Sequence, residues 1–215
     1  MTTITLVIGN KAYSSWSLRG WLMLTATGAD FDEIVVPLDR PETQAEILVH
    51  SAAGRVPVLK VDGLTVWDSL AIGECLAERF PAAGLWPADA TARAIGRAVS
   101  AEMHAGFAAL RRHLPMDLKR APSAGAEAAR AGVDIDRIGA LWRDCRARFG
   151  AGGPFLFGQF GIADAMYAPV ATRMVTYAVP LDPICGGYVE AVTALPAMRR
   201  WTAAARAEPW VIADP

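Results

Sequence analysis

Three short segments in the first third of the chain place hydroxyls, one carboxylate and a proline-flanked backbone where a small ligand could be held. The first is Tyr13-Ser14-Ser15-Trp16-Ser17-Leu18-Arg19, which leads into a stretch of helical periodicity. Hydroxyls just before a helix act first as N-caps, since they satisfy amides that the first turn leaves unpaired. The same place forms an anion site, because a helix N-terminus offers free N–H groups and positive potential. A thiolate held there would be stabilised, and a serine hydroxyl could donate a hydrogen bond to it. No side chain of the segment ionises at low pH, so the nucleophile would come from a ligand.

The second segment is Gly54-Arg55-Val56-Pro57-Val58-Leu59. A proline opening a strand can be a plain edge residue. Alternatively, a cis bond at Val56-Pro57 would turn the Val56 N–H and C=O outward, free to pair with a peptide-like ligand in the manner of a β-strand. The third is Asp68-Ser69 at the start of a helical pattern. A capping pair is common there. As a site, Ser69 and the local amides would hold a carboxylate while Asp68 holds an ammonium group.

The elements that carry these segments follow from periodicity. Ile4 to Ile8 is a short apolar, β-branched run and reads as a buried strand. Ser15 to Ala26 reads as a helix with Leu18, Trp21, Leu22 and Thr25 on one face, ending at Gly28. Phe31 to Val36 is a second strand and Pro41 to Val49 a second helix. Val56 to Val61 and Leu64 to Trp67 form a hairpin, because Asp62-Gly63 supplies the positive φ angles of a tight turn. Ser69 to Phe80 closes the half as a helix. The order βαβαββα is a thioredoxin-like layout. Beyond Pro87 the strand signals almost vanish, and Arg93 to Leu114, Asp134 to Phe149, Ile162 to Tyr177 and Gly187 to Ala207 (broken near Pro196) read as helices. Ala121 to Gly132 has little apolar bulk and reads as a mobile loop. The fold class is therefore α/β plus all-α: a thioredoxin-like domain over 1–80, a linker over 81–87 rich in helix breakers, and an all-helical domain over 88–215.

Composition supports that division and removes several function classes. The 215 residues carry a formal charge of −1 and are 53% hydrophobic, which excludes a disordered chain. Residues 1–86 hold 6 basic and 10 acidic side chains, while residues 87–215 hold 15 and 12. A near-neutral chain lacks the clustered cations that nucleic acid requires. No run of 18 apolar residues spans a membrane. Met1 to Ile8 lack the basic start and long apolar stretch of a signal peptide. Three cysteines, Cys75, Cys145 and Cys185, form no CxxC pair, as in a reducing cytoplasm. His50, His104 and His113 show no zinc spacing, so no metal is expected.

Taken together, the turn Ser14-Ser15-Trp16-Ser17, the pair Val56-Pro57, Asp68-Ser69-Leu70-Ala71-Ile72, and Ile162-Ala163-Asp164-Ala165 in the helical half resemble a glutathione S-transferase of the serine-type, zeta-like bacterial branch. The resemblance covers the full chain. It implies that glutathione is the co-substrate and Ser14 the residue that activates its thiol. It also implies Val56, with Pro57, as the clamp on the cysteinyl backbone, and Asp68 with Ser69 as the γ-glutamyl site. Ser15 and Ser17 line the same turn, and Arg55 matches a position that often meets the glycyl carboxylate. Homodimerisation is a further implication. Hydrophobic electrophiles, peroxides or disulfides are the implied second substrates, with detoxification the implied role.

The energetics are compatible with a hydroxyl activator. A free thiol has a pKa near 8.5, and lowering it by about two units takes roughly 2.7 kcal/mol. One hydrogen bond to a charged acceptor gives about 1.5–3 kcal/mol, and the helix end adds about 0.3–1 kcal/mol.

Some residues depart from the zeta pattern. Zeta-type loops carry Ser-Ser-Cys-Ser, and Trp16 takes the place of that cysteine, which removes a redox-active thiol. Thr176 stands where zeta enzymes carry an arginine for a substrate carboxylate; Arg173, one turn earlier, is a candidate substitute. Both weigh against a cis–trans isomerase of the maleylacetoacetate type, which remains the second reading. A non-catalytic binding module of the same fold is the third. Such proteins usually place Ser or Thr three residues before Asp164, whereas this chain has Gly161, a change expected to cost only a few tenths of a kcal/mol. The electrophile pocket is expected between the domains, with Tyr13, Trp16, Met103, His104, Phe107, Leu110 and Met116 as candidates. Met103, Phe107 and Leu110 are spaced as any helix core stripe would be. Arg111, Arg112, Lys119 and Arg120 read as a solvated basic face.

Overall fold

A computed structural model describes residues 3–213. Strand β1 (Ile4–Ile8) is central because its side chains are apolar toward both faces: Leu6, Val7 and Ile8 are fully buried. Strand β2 (Asp32–Val35) runs parallel to it, reached through helix α1 (Ser15–Ala26). Helix α2 (Thr43–His50) leads to the antiparallel hairpin of β3 (Val58–Val61) and β4 (Leu64–Trp67). The sheet order is β2-β1-β3-β4. Asp62 and Gly63 both have positive φ, 49° and 79°, as the tight hairpin turn demands. Helix α3 (Ser69–Arg79) completes a thioredoxin-like half.

The strands and helices of this half sit within one or two residues of their expected limits, and the shift at β3 has a local cause. Val56-Pro57 is a cis peptide, and strand pairing begins only at Val58. The loop holding this peptide rests on α1 at Gly20, where a Cβ would stand 3.1 Å from the Pro57 ring. Glycine in mid-helix costs about 1 kcal/mol; here it lets the two segments of the site approach each other.

The rest of the chain is helical: α4 (Ala90–Ala105), α5 (Ala108–His113), the short α6 (Glu127–Arg130), α7 (Gly132–Phe149), α8 (Ile162–Thr176), α9 (Pro183–Ala194) and α10 (Pro196–Ala207). Helix α8 is buried on every side from Ile162 to Met174, mostly through apolar side chains, and is packed among α1, α4 and α9. Its packing on α1 fuses the cores of the two halves.

Two expectations change. The helix expected over Arg93 to Leu114 is broken at Gly106-Phe107, with Phe107 in the left-handed region at φ 61°. Met103, Phe107 and Leu110 are buried on both sides of the break, so the apolar spacing runs through it without a signal. The stretch expected as a loop over Ala121 to Gly132 contains α6 and is tied to α8 by the Ser123 N–H donating to Thr176 O at 3.0 Å. Among the described residues, no helix is long and apolar enough to cross a membrane.

Candidate functional site

The serine turn is a closed local network. Ser14 is the N-cap of α1; its Oγ accepts from the Ser17 N–H at 3.3 Å and donates to Ser17 Oγ at 2.7 Å. Ser17 Oγ also accepts from the Gly9 N–H at 2.9 Å, and Ser17 is fully buried. Ser17 therefore locks the end of β1 to the first turn of α1. Ser15 is buried too, but its hydroxyl has no hydrogen-bond partner among the described residues. Tyr13 is half-buried beside the turn, and burial raises its phenol above the ordinary value.

A cleft of about 530 Å³ opens beside this turn, within the size range of small-molecule sites. Its walls bring together Trp16, Arg55, Val56, Pro57, Asp68, Ser69 and His104 from the expected residues, and add Ala53 and the exposed Trp67. Met103 and Leu110 are fully buried in the shared core, with Phe107 and Met116 nearly so, and none of the four lines the cleft. Nor do Tyr13, Ser14, Ser15 and Ser17, whose turn reaches it through Trp16.

Two features of the cleft are left open by the chain itself. The Val56 backbone enters no hydrogen bond among the described residues, since pairing starts at Val58. At the start of α3, Asp68 is held at φ 76°, a strained value for a residue with a side chain. Its Oδ1 accepts from the Leu70 N–H at 2.8 Å and the Ala71 N–H at 3.4 Å. Its Oδ2 lies 3.1 Å from His104 Nε2, a contact from the helical half. The neighbouring Ser69 is fully buried, and its Oγ has no partner. A buried hydroxyl without a partner costs about 1–3 kcal/mol, so it marks a place where a partner is expected.

The loop leading to Ser14 is fixed from the other half, which nothing local in the sequence announces. Glu208, just past α10, accepts from the Lys11 N–H at 2.8 Å and the Ala12 N–H at 3.2 Å. Trp201 Nε1 donates to Lys11 O at 2.9 Å, and the Leu118 N–H donates to Ala12 O at 3.1 Å. Lys119, expected on a solvated face, instead bonds the carbonyls of Glu208 and Trp210.

Comparison with known proteins accords with this geometry. The model of the glutathione S-transferase N-terminal domain matches residues 13–79, and that of the C-terminal domain matches residues 88–204. The chain belongs to the glutathione S-transferase family. A probable maleylacetoacetate isomerase of Caenorhabditis elegans is 32% identical over 115 residues, covering 54% of this chain and 53% of that protein. The chain spans about half the length, or less, of the curated relatives it matches. A glutathione transferase homolog from Burkholderia, solved with bound glutathione, is 27% identical with a TM-score of 0.71, covering 96% of this chain and all of that one. A maleylacetoacetate isomerase from Anaeromyxobacter dehalogenans is 25% identical with a TM-score of 0.66, covering 100% and 95%.

Against this glutathione S-transferase background, an arginine cluster behind Trp16 stands apart. Arg111, expected on a solvated face, turns inward because the break before α5 exposes the end of α4: its guanidinium donates to Gly106 O at 3.0 Å, to His104 O at 3.4 Å and to Met103 O. Arg173 is buried and donates to Leu114 O at 2.6 Å and Pro169 O at 3.1 Å. Burial, with the neighbouring Arg111 charge, pulls its pKa down to about 10. Arg19 is completely buried, and burial followed by the charges of Arg111 and Arg173 holds its pKa well below the ordinary value. Among the described residues, no group of three or more His, Cys, Asp or Glu side chains could hold a metal.

Proposed function

We propose that this chain is a glutathione transferase that holds glutathione in the 530 Å³ cleft and presents its thiol as a thiolate to a small hydrophobic electrophile, a peroxide or a disulfide. The observation that carries the reading is the buried Ser69 hydroxyl, unpartnered at the cleft wall beside the Asp68 carboxylate. An amino-acid end carries both an ammonium and a carboxylate. Asp68 suits the first; Ser69 and the amides at the start of α3 suit the second. The open Val56 backbone suits the cysteinyl peptide unit, and Arg55, exposed on the rim, suits the glycyl carboxylate. Among relatives, the Burkholderia homolog was solved with glutathione bound.

Ser14 is the proposed thiol partner. Its proton now goes to Ser17 Oγ, which keeps the Gly9 N–H when that proton turns away. Exchanging a neutral hydrogen bond of about 1 kcal/mol for one to a thiolate of about 1.5–3 kcal/mol favours the turn. Trp16 and His104, in edge-to-face contact with centroids 5.3 Å apart, form the wall where an electrophile would lie; Tyr13, Met103, Phe107 and Leu110 support it. The units 1–80 and 88–215, joined by 81–87, would be the two domains, and a cytoplasmic homodimer with a role in detoxification is the assembly this reading favours. The isomerase reading draws on the names of several relatives. Against it stand Trp16, Arg173 committed to backbone carbonyls, and Thr176, which lines a different cavity between α8 and α10.

Calorimetric titration with reduced glutathione, followed by ultraviolet titration of the bound thiolate, tests the proposal. Wild type is expected to bind, and Ser14→Ala to bind with the thiol pKa raised by about 1–2 units. No heat at millimolar glutathione would leave a non-catalytic module. An unchanged thiol pKa in Ser14→Ala, with a rise in Ser15→Ala, would move the role to Ser15.

A further inference from the structure

Arg19 is a fully buried side chain whose chemistry neither the fold nor the glutathione reading uses. Its Nε, Nη1 and Nη2 are all buried and all without a hydrogen-bond partner. Among the described residues, no carboxylate forms an ion pair with Arg19, Arg111 or Arg173. The Trp16 ring is its nearest aromatic contact, with the guanidinium carbon 4.4 Å from the ring centroid and that of Arg111 4.8 Å from the same centroid. A ring face attracts the cation, but a stacked guanidinium keeps its five N–H donors in its own plane, and those remain unmet. Arg111 and Arg173 spend their donors on carbonyls and add two positive charges nearby. The Asp68 carboxylate acts on Arg19 in the opposite sense but makes no hydrogen bond to it. A buried guanidinium with all its donors unmet beside two like charges is unfavourable.

We propose that Arg19 is the donor of a buried anion site at the junction of the two halves, taking a compact oxyanion or a carboxylate, with Arg111 and Arg173 supplying its field. Trp16 is the wall shared by this site and the cleft, since its ring lines the cleft and contacts both Arg19 and Arg111. The anion enters from the cleft side as that ring moves aside. The site does not depend on glutathione binding, so it stands or falls separately from the reading above.

Thermal melting without glutathione tests it, with formate, inorganic phosphate or succinate added to about 20 mM and ionic strength held with bulky gluconate. Wild type should show a saturable rise in melting temperature of about 3 °C with at least one anion. Arg19→Met should lose that rise and should melt at or above wild type in the anion-free buffer, because it removes an unpaired buried charge. Arg112→Ala, an exposed neighbour, should keep the rise. Tryptophan fluorescence should change with the same anion in wild type and not in Trp16→Phe. A rise with formate or phosphate marks a site for free anions; one confined to succinate marks the head group of a larger carboxylate lying in the cleft. No saturable rise with any of the three, or an equal rise in Arg19→Met, would overturn the proposal. Should Arg19→Met not fold at all, the wild-type rise and its absence in Arg19→Lys, whose single ammonium cannot present the same fork, decide the question.

Discussion

Two helices of this chain begin beside an aspartate, and the two carboxylates serve opposite ends. At the start of α8, Asp164 is buried; its Oδ2 accepts from the Gly161 N–H at 2.9 Å and its Oδ1 from the Leu156 N–H at 3.0 Å. Every bond it makes closes on its own chain. At the start of α3, Asp68 is exposed to the cleft and held at positive φ, and the next residue, Ser69, has a buried hydroxyl with nothing to bond. A carboxylate at a helix start satisfies amides in both places. What separates folding from binding is whether a polar group remains unmet, and toward which space it faces.

The largest expected effect breaks the closed end. Asp164→Ala strands the buried Leu156 amide and the half-buried Gly161 amide, and should lower stability by about 2–4 kcal/mol in urea unfolding. Its charge carries a pH signature as well. Burial pushes Asp164 up to about 6, against the pull of the Leu156 and Gly161 amides. An aspartate in the unfolded chain titrates near 3.9. Between these values the folded state binds more protons than the unfolded one, so stability falls as pH rises through that window. Asparagine does not titrate there. Stability of wild type minus that of Asp164→Asn should therefore decline by roughly 2 kcal/mol from pH 4 to pH 7 and level off above. A flat or rising difference would mean that the amides outweigh burial.

The second effect tests the open end. Ser69→Ala removes a hydroxyl that contributes nothing to the folded chain alone, so its unfolding free energy should match or slightly exceed that of wild type. Glutathione affinity should fall about tenfold, equivalent to about 1.4 kcal/mol, in calorimetric titration. The reverse pattern, lost stability with unchanged affinity, would make the two helix starts alike.

Much of this contrast could be read from the sequence, and the part that could not has a physical reason. Ile4 to Ile8, Asp62-Gly63 and the serines before α1 announce their structures locally, because a strand run, a tight turn and a cap each depend on adjacent residues. Val56, Asp68 and Ser69 were expected together as the glutathione site and His104 in the electrophile pocket, and all four line one cleft. The break at Gly106-Phe107 was hidden by apolar spacing that continues through it, and with it the inward turn of Arg111. In the sequence Arg19 only ends the serine turn, with no role of its own, and nothing local announces its complete burial against α8 or the charges of Arg111 and Arg173 beside it. The support from Glu208 to Lys11 and Ala12 joins positions nearly two hundred residues apart, beyond any local pattern.

The smallest effect concerns Gly161, and it sharpens the comparison where sequence reasoning was too lenient. Serine at this N-cap would be expected to gain a few tenths of a kcal/mol over glycine by accepting from the first turn. Gly161 has φ −149°, extended backbone open to any residue, so conformation does not require glycine. Space does. A Cβ here would lie 2.7 Å from the Leu85 carbonyl oxygen, and that carbonyl is fixed because it accepts from the Ile162 N–H at 2.9 Å. A backbone atom held by a hydrogen bond gives way less easily than a side-chain tip, so the displacement should outweigh the added cap. Gly161→Ser should lower stability by about 1 kcal/mol and leave glutathione affinity unchanged. A gain in stability would show slack between Leu85 and α8, and the α8 start would then be less closed than its bonds imply.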